Sequence, residues 1–210
     1  MKYFIQIVFL LFFSLSAYTQ EKEVWSIDLD LGLSFLDAEH IVPNPIPPAL
    51  VPMASTYKKL FVTGFGSFTI YGRIKYISPN WSVGFFVKPG VADNVHKNVA
   101  QTTNGGNWIF LQCPIGIATE LGKTDMHSPG IIAGAGFSYN YYEFTHTKIP
   151  SFQKIVPYFF VQIHKGSLGI RFSTSPNQTY SYSDGAVTKT HLDFTATFLA
   201  TVPVIKKNTN

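Results

Sequence analysis

The stretch that decides the fold is Trp25–Phe35, WSIDLDLGLSF. Trp25, Ile27, Leu29, Leu31, Leu33 and Phe35 hold the odd positions, and Ser26, Asp28, Asp30, Gly32 and Ser34 the even ones. Successive side chains of a strand point to opposite faces, so one face is continuously apolar and the other carries two acids. Helical spacing would scatter both sets around a cylinder. A half-buried strand of a soluble sheet shows the same alternation. The difference here is that the chain repeats the pattern in seven further segments: Leu60–Ile77, Trp81–Pro89, Trp108–Leu121, Gly130–Phe144, Ile155–His164, Ser167–Ser175 and Thr188–Val202.

The connections between these segments alternate in length. Leu36–Lys59, with five prolines (Pro43, Pro45, Pro47, Pro48, Pro52), reads as a long loop, because proline cannot donate to a ladder. Gly90–Asn107, Thr145–Lys154 and Pro176–Val187 read as further loops. Ser78–Asn80, Gly122–Pro129 and Lys165–Gly166 read as short turns. An even number of amphipathic strands joined by alternating long and short connections is the pattern of an eight-stranded antiparallel up-and-down transmembrane β-barrel. Its outside would be apolar, with Trp25, Tyr76 and Trp81 in an aromatic girdle at the short-turn end.

Composition agrees. Only 13% of the 210 residues are charged, while Phe (19) and Tyr (11) together outnumber the 16 Lys and Arg. A soluble domain of this size carries about twice that share of charge. Met1–Lys2 followed by the apolar run Ile5–Phe13 and the small, polar Ser14–Gln20 reads as a signal peptide ending at residue 19. Residues 20–210 would then form the barrel domain, at a net charge of +3 once Lys2 is removed (15 basic against 12 acidic), too weak for nucleic acid. Cys113 is alone, so no internal disulfide forms. After the leader no stretch of about 18 apolar residues could form a transmembrane helix.

Leu111–Gly122, LQCPIGIATELG, followed by Pro129–Tyr139, PGIIAGAGFSY, resembles the small outer-membrane β-barrel proteins of the Bacteroidota, the PorT-like group. Gly64-Phe65-Gly66 running into Arg73-Ile74-Lys75 is similar to them as well. The resemblance implies an outer-membrane location and an eight-stranded barrel. It implies no catalytic residues and no cofactor, and for some members a link to secretion or gliding machinery.

The strand parity turns eight charges inward: Asp28, Asp30, Glu120 and Asp193 against Arg73, Lys75, Lys88 and Arg171. Four acids against four bases is the balance of a packed polar interior, since an unpaired buried charge is costly. An eight-stranded barrel encloses only room for side chains, so these charges read as a salt-bridged plug. Six histidines invite a metal or catalytic site, but His40, His96, His127, His146, His164 and His191 share no ligand spacing, and no HExxH, CxxC or GxSxG occurs. Three functions fit. The first is a non-enzymatic barrel that assists a surface or secretion assembly through its loops, with membrane lipid and envelope or secretion proteins as partners. The second is a lipid A-modifying enzyme using His191, Asp193 and Ser181 or Ser183. The third is a soluble lipocalin-like binder with its apolar faces inward. The first is favoured because no catalytic pattern is present.

Overall fold

The computed structural model describes residues 25–43, 55–78, 80–93, 107–122, 129–145 and 149–205. The segment read as a signal peptide, residues 1–19, lies outside the described residues, as do residues 44–54 of the proline-rich connection. Ten strands are described: β1 (Trp25–Val42), β2 (Ser55–Ser78), β3 (Trp81–Val87), β4 (Gly90–Asp93), β5 (Asn107–Gly122), β6 (Pro129–Thr145), β7 (Phe152–Lys165), β8 (Leu168–Thr174), β9 (Gln178–Ser181) and β10 (Val187–Ile205). All pairings are antiparallel. β1 pairs with both β2 and β10, so the sheet closes on itself. β3 and β4 share the same two neighbours, β2 and β5, and form one broken stave. β8 and β9 both pair with β10 and form another. Eight staves therefore make the ring.

The breaks fall where the sequence denies a regular ladder. Lys88-Pro89 interrupts the third stave, and the gap is stitched by Lys88 N–H to the Pro114 carbonyl (2.9 Å) and Phe68 N–H to the Pro89 carbonyl (3.2 Å). Pro176 interrupts the other, where Ser175 N–H reaches the Asp193 carbonyl at 3.2 Å. The strands also run further than the alternation alone suggests. Leu36–Val42 and Ser55–Lys59, read as loop, belong to β1 and β2 and pair with each other residue for residue. Gly90–Asp93 and Gln178–Ser181, also read as loop, are β4 and β9. The Lys165-Gly166 turn closes β7 onto β8 with Gly166 at φ 63°, a conformation that glycine adopts without steric cost.

The outside of the ring is the apolar side. Leu31 and Phe198, register partners on β1 and β10, are each 71% exposed, and Ile117, Ile155 and Leu168 are nearly as open. Asp28 and Asp30, between the exposed leucines, are buried. The apolar faces are thus turned outward, the reverse of a lipocalin-like binder. A contiguous apolar belt of this extent far exceeds what a water-soluble monomer exposes. Trp81 stands at its short-turn edge, 41% exposed and donating to Thr119 Oγ1 at 2.7 Å. Trp25 departs from its expected girdle role. It is buried over Gly72, edge-on to Phe85 at 5.1 Å, because Gly72 has no Cβ to keep the indole away.

Among the described residues the line between β7 and β8/β9 is only partly sewn. β7 pairs with β8 from Phe159 to Lys165, whereas Phe152–Tyr158 pairs with β6 alone among the described residues. On the far side of this seam β9 pairs only with β10. Side chains bridge it instead: Lys154 Nζ donates to the Thr179 carbonyl at 2.8 Å, Tyr182 Oη donates to the Pro150 carbonyl at 3.1 Å, and Phe152 stacks on Tyr180 at 5.7 Å.

The belt makes a depth-dependent prediction. Leu31→Arg should destabilise the barrel in lipid vesicles by about 2–4 kcal/mol, while Ile41→Arg near the strand end should cost about 0–1 kcal/mol. Urea unfolding of the two variants measures the difference. Equal costs would mean that the belt does not sit across a bilayer.

Candidate functional site

The lumen holds the chemistry. Polar groups and two apolar clusters fill it: Tyr71, Phe86, Ala118, Ile132, Tyr158 and Phe160 lie among the charges of the short-turn half, and a larger aromatic cluster fills the long-loop half. At the short-turn end Arg73 meets Glu120 with two parallel bonds, Nε to Oε2 at 2.6 Å and Nη2 to Oε1 at 3.2 Å. Ser82 Oγ donates to the same carboxylate at 3.3 Å, and His164 Nε2 lies 3.6 Å from it. Arg73 also lies over the Tyr71 ring at 4.9 Å. A bidentate arginine–carboxylate pair with further hydrogen bonds is the arrangement that makes buried charge tolerable.

In the middle Arg171 clamps two acids. Nη2 reaches Asp28 Oδ2 at 2.6 Å and Nη1 reaches Asp30 Oδ2 at 2.8 Å. Nε and Nη2 both donate to Gln162 Oε1, and Nη1 also contacts Thr69 Oγ1. The free lone pairs of the acids are taken by hydroxyls: Thr201 to Asp28 at 2.7 Å, Thr69 to Asp30 at 2.9 Å and Ser67 to Asp30 at 3.0 Å. Phe160 supports the guanidinium from below at 5.1 Å. Its ring occupies the space that a side chain at Gly134 would fill; a Cβ there would stand 2.2 Å from Phe160.

Lys88 and Asp193 are held differently. Lys88 Nζ, fully buried, donates to Tyr158 Oη at 3.3 Å and lies 4.8 Å over the Phe65 ring. Asp193 accepts from the Tyr142 hydroxyl and from Asn140 Nδ2 at 3.3 Å. Neither has an ion-pair partner among the described residues.

Two of the residues placed inward by parity lie outside, and both for the same reason. A register shift between Arg73 and Lys75 in the β2–β3 ladder adds one residue, so Ile74 and Lys75 both face out and Lys75 is not part of the lumen network. A second shift, opposite Asp37/Ala38, puts His191 and Leu192 on the outer face together. His191 is therefore separated by the barrel wall from Asp193, and Ser181 and Ser183 are exposed beyond it. The residues that a lipid A-modifying enzyme would need are not brought together. Instead His191 Nε2 lies 3.1 Å from Glu39 Oε2 on the outer wall above the belt, with Lys58 at 3.6 Å. The hydrogen bond to His191 holds the Glu39 carboxyl below its ordinary range despite some desolvation, and the Lys58 charge acts in the same direction. Among the described residues no group of three His, Cys, Asp or Glu could hold a metal ion.

The long-loop half of the lumen is aromatic, which the reading of a polar interior did not anticipate. Phe110 and Tyr142 stack at 4.7 Å and 8°, Tyr142 and Phe152 at 4.7 Å, and Phe61 packs on Trp108 at 5.6 Å. Leu36, Ala38 and Ile149 complete the cluster. The signal was in the sequence. At these strand ends Trp108, Phe110, Tyr142 and Phe144 occupy the inward positions, so both faces are apolar there and alternation fades.

No protein-family model matches the chain, and no curated protein sequence matches it. Solved structures that the chain is similar to include outer-membrane proteins. They include OprG from Pseudomonas aeruginosa (8% identity, covering 88% of this chain and 97% of that one, TM-score 0.46). The protease OmpT from Escherichia coli is similar at 10% identity, over 90% of this chain and 100% of that one, TM-score 0.42. AlkL, solved in lipid bilayers, shares 14% identity over 92% and 95%, TM-score 0.38. The likeness is one of barrel architecture.

The central clamp generates a stability prediction. Arg171→Ala leaves Asp28 and Asp30 buried without their cation and should cost about 3–5 kcal/mol in denaturant unfolding. Adding Asp28→Asn and Asp30→Asn to that variant should recover part of the loss. Lys58→Ala, which removes only an exposed ion pair, should leave the unfolding midpoint nearly unchanged.

Proposed function

We propose that the chain is a non-enzymatic outer-membrane β-barrel that anchors or assists a surface or secretion assembly through the connections at its long-loop end. The observation that carries this reading is the filled lumen inside an apolar wall. The belt gives the chain a lipid-facing outside. Arg171 with its acids, and the aromatic cluster above them, occupy the space through which a solute would pass. A barrel with a filled lumen, whose described residues do not bring the candidate His191, Asp193 and Ser181 or Ser183 together, has its loops left for function. The resemblance of Leu111–Gly122 and Pro129–Tyr139 to the PorT-like proteins supports the same assignment. In this reading residues 1–19 direct export, the short turns face the periplasm and the long connections face outward.

Planar-bilayer recording tests the seal: the purified barrel should insert without producing steady conductance. Reproducible channels would replace the anchor with a transporter. Cysteine labelling of intact cells tests the orientation. In a Cys113→Ser background, Ser183→Cys should react with an impermeant maleimide and Asn80→Cys should not; the opposite pattern would invert the topology. Capture of envelope proteins by the wild-type chain, but not by a chain with residues 44–54 replaced by glycine and serine, would identify the assembly.

A further inference from the structure

Asp193 is the carboxylate that the lumen's own cations leave over. Among the described lumen residues four acids (Asp28, Asp30, Glu120, Asp193) face three basic side chains (Arg73, Lys88, Arg171). Arg73 is taken by Glu120 and Arg171 by Asp28 and Asp30. Lys88 turns its ammonium to Tyr158 and Phe65. His164 stands against Glu120 and cannot serve Asp193.

The surroundings of Asp193 are equally incomplete. Six buried side-chain polar atoms have no hydrogen-bond partner among the described residues, and three of them are oxygens of residues on the strands and link around it: Ser175 Oγ, Gln112 Oε1 and Gln178 Oε1. These three residues are 3–4% exposed. Their backbones fix them around the carboxylate. Ser175 N–H bonds the Asp193 carbonyl on the adjacent strand, so the two side chains share the lumen wall. Gln178 is the register partner of Thr190, the inward residue that precedes Asp193, and its amide lies beside the Tyr142 hydroxyl that holds Asp193. Gln112 is the register partner of Asn140, whose amide reaches Asp193. A buried polar atom without a partner costs about 1–3 kcal/mol, so three such oxygens on the residues flanking Asp193 call for an occupant.

We propose that Asp193, Gln112, Gln178 and Ser175 form a binding site for one monovalent metal cation of the sodium or potassium class. The donors are all oxygens, the ligands of hard cations. They comprise one carboxylate and neutral carbonyl or hydroxyl groups, so a single positive charge makes the site neutral. A divalent ion would leave a net positive charge in a low-dielectric interior that already holds Lys88 and Arg171. No cysteine or histidine is present to favour a transition metal. Occupancy would satisfy the unpartnered oxygens and balance the fourth acid, tying β9, β10 and the Ser175 link to β5.

Thermal unfolding of the full chain in nanodiscs tests the site, with NaCl, KCl and N-methylglucamine chloride compared at equal ionic strength. The melting temperature should rise with one or both metal salts, following ln(1 + [M⁺]/Kd), and not with the organic cation. Asp193→Asn should fold and lose that dependence. If the three salts give coincident curves for the wild type, the site does not bind a cation. Should Asp193→Asn fail to fold, wild-type crystals soaked in thallium(I) decide the question. An anomalous peak bounded by Asp193, Gln112 and Gln178 supports the site. A protonated-carboxyl infrared band that Asp193→Glu shifts, with no such peak, overturns it.

Discussion

Closure is the constraint on which everything else depends. A sheet surrounded by lipid has no water to satisfy its edges, so its first and last strands must pair with each other. β1 meets this by pairing along its whole length with β2 on one side and β10 on the other. Once the ring is closed, the side-chain period of two leaves no freedom: every strand must put its apolar set outside and the remainder in a lumen wide enough only for side chains. The charge network, the aromatic cluster and the inward glycines are consequences of filling that fixed volume.

How the volume is filled divides the molecule. Towards the short turns the interior interleaves ion pairs with a smaller apolar cluster (Tyr71, Phe86, Ala118, Ile132, Tyr158, Phe160), and each guanidinium is matched by carboxylates and serine or threonine hydroxyls. Towards the long connections it is aromatic, with rings stacked from Phe61 to Tyr180. Lys88 sits between the two regimes and uses both, bonding one hydroxyl and resting on two rings. The polar half is held by directional bonds that specify one register. The aromatic half is held by contact area, and it extends to the strand pairs that stand above the belt.

The alternation of Trp25–Phe35 made the barrel, its strand number and its inside-out polarity legible in the sequence. Asp28, Asp30, Arg171, Arg73, Glu120, Lys88 and Asp193 all lie in the lumen by the parity of their own strands. Lys75 and His191 escaped that reasoning because each follows a bulge. A bulge adds one residue through backbone hydrogen bonding and leaves no mark in hydrophobicity, so parity counted across it inverts. The upper parts of β1 and β2 escaped because Asp37, Glu39, Lys58 and Lys59 look like loop, yet the ladder continues beyond the belt where charged outward residues are expected. Pairings between side chains on distant strands, such as Arg171 with Asp28, depend on the shear of the closed ring, which no local pattern encodes.

The seam between β7 and β9 gives the cylinder a direction. β1 is joined to both of its neighbours along the length of the strand, whereas along Phe152–Tyr158 β7 is joined to the β9 side by one lysine, one tyrosine and a stacked pair of rings. Local opening concentrates where few backbone bonds must break. Opening along the β7–β9 line should therefore need less than opening beside β1, whose two ladders run the length of the strand. A tube of that kind has a soft flank and a stiff flank, and it meets the crowded plane around it as an oriented object with a front and a back.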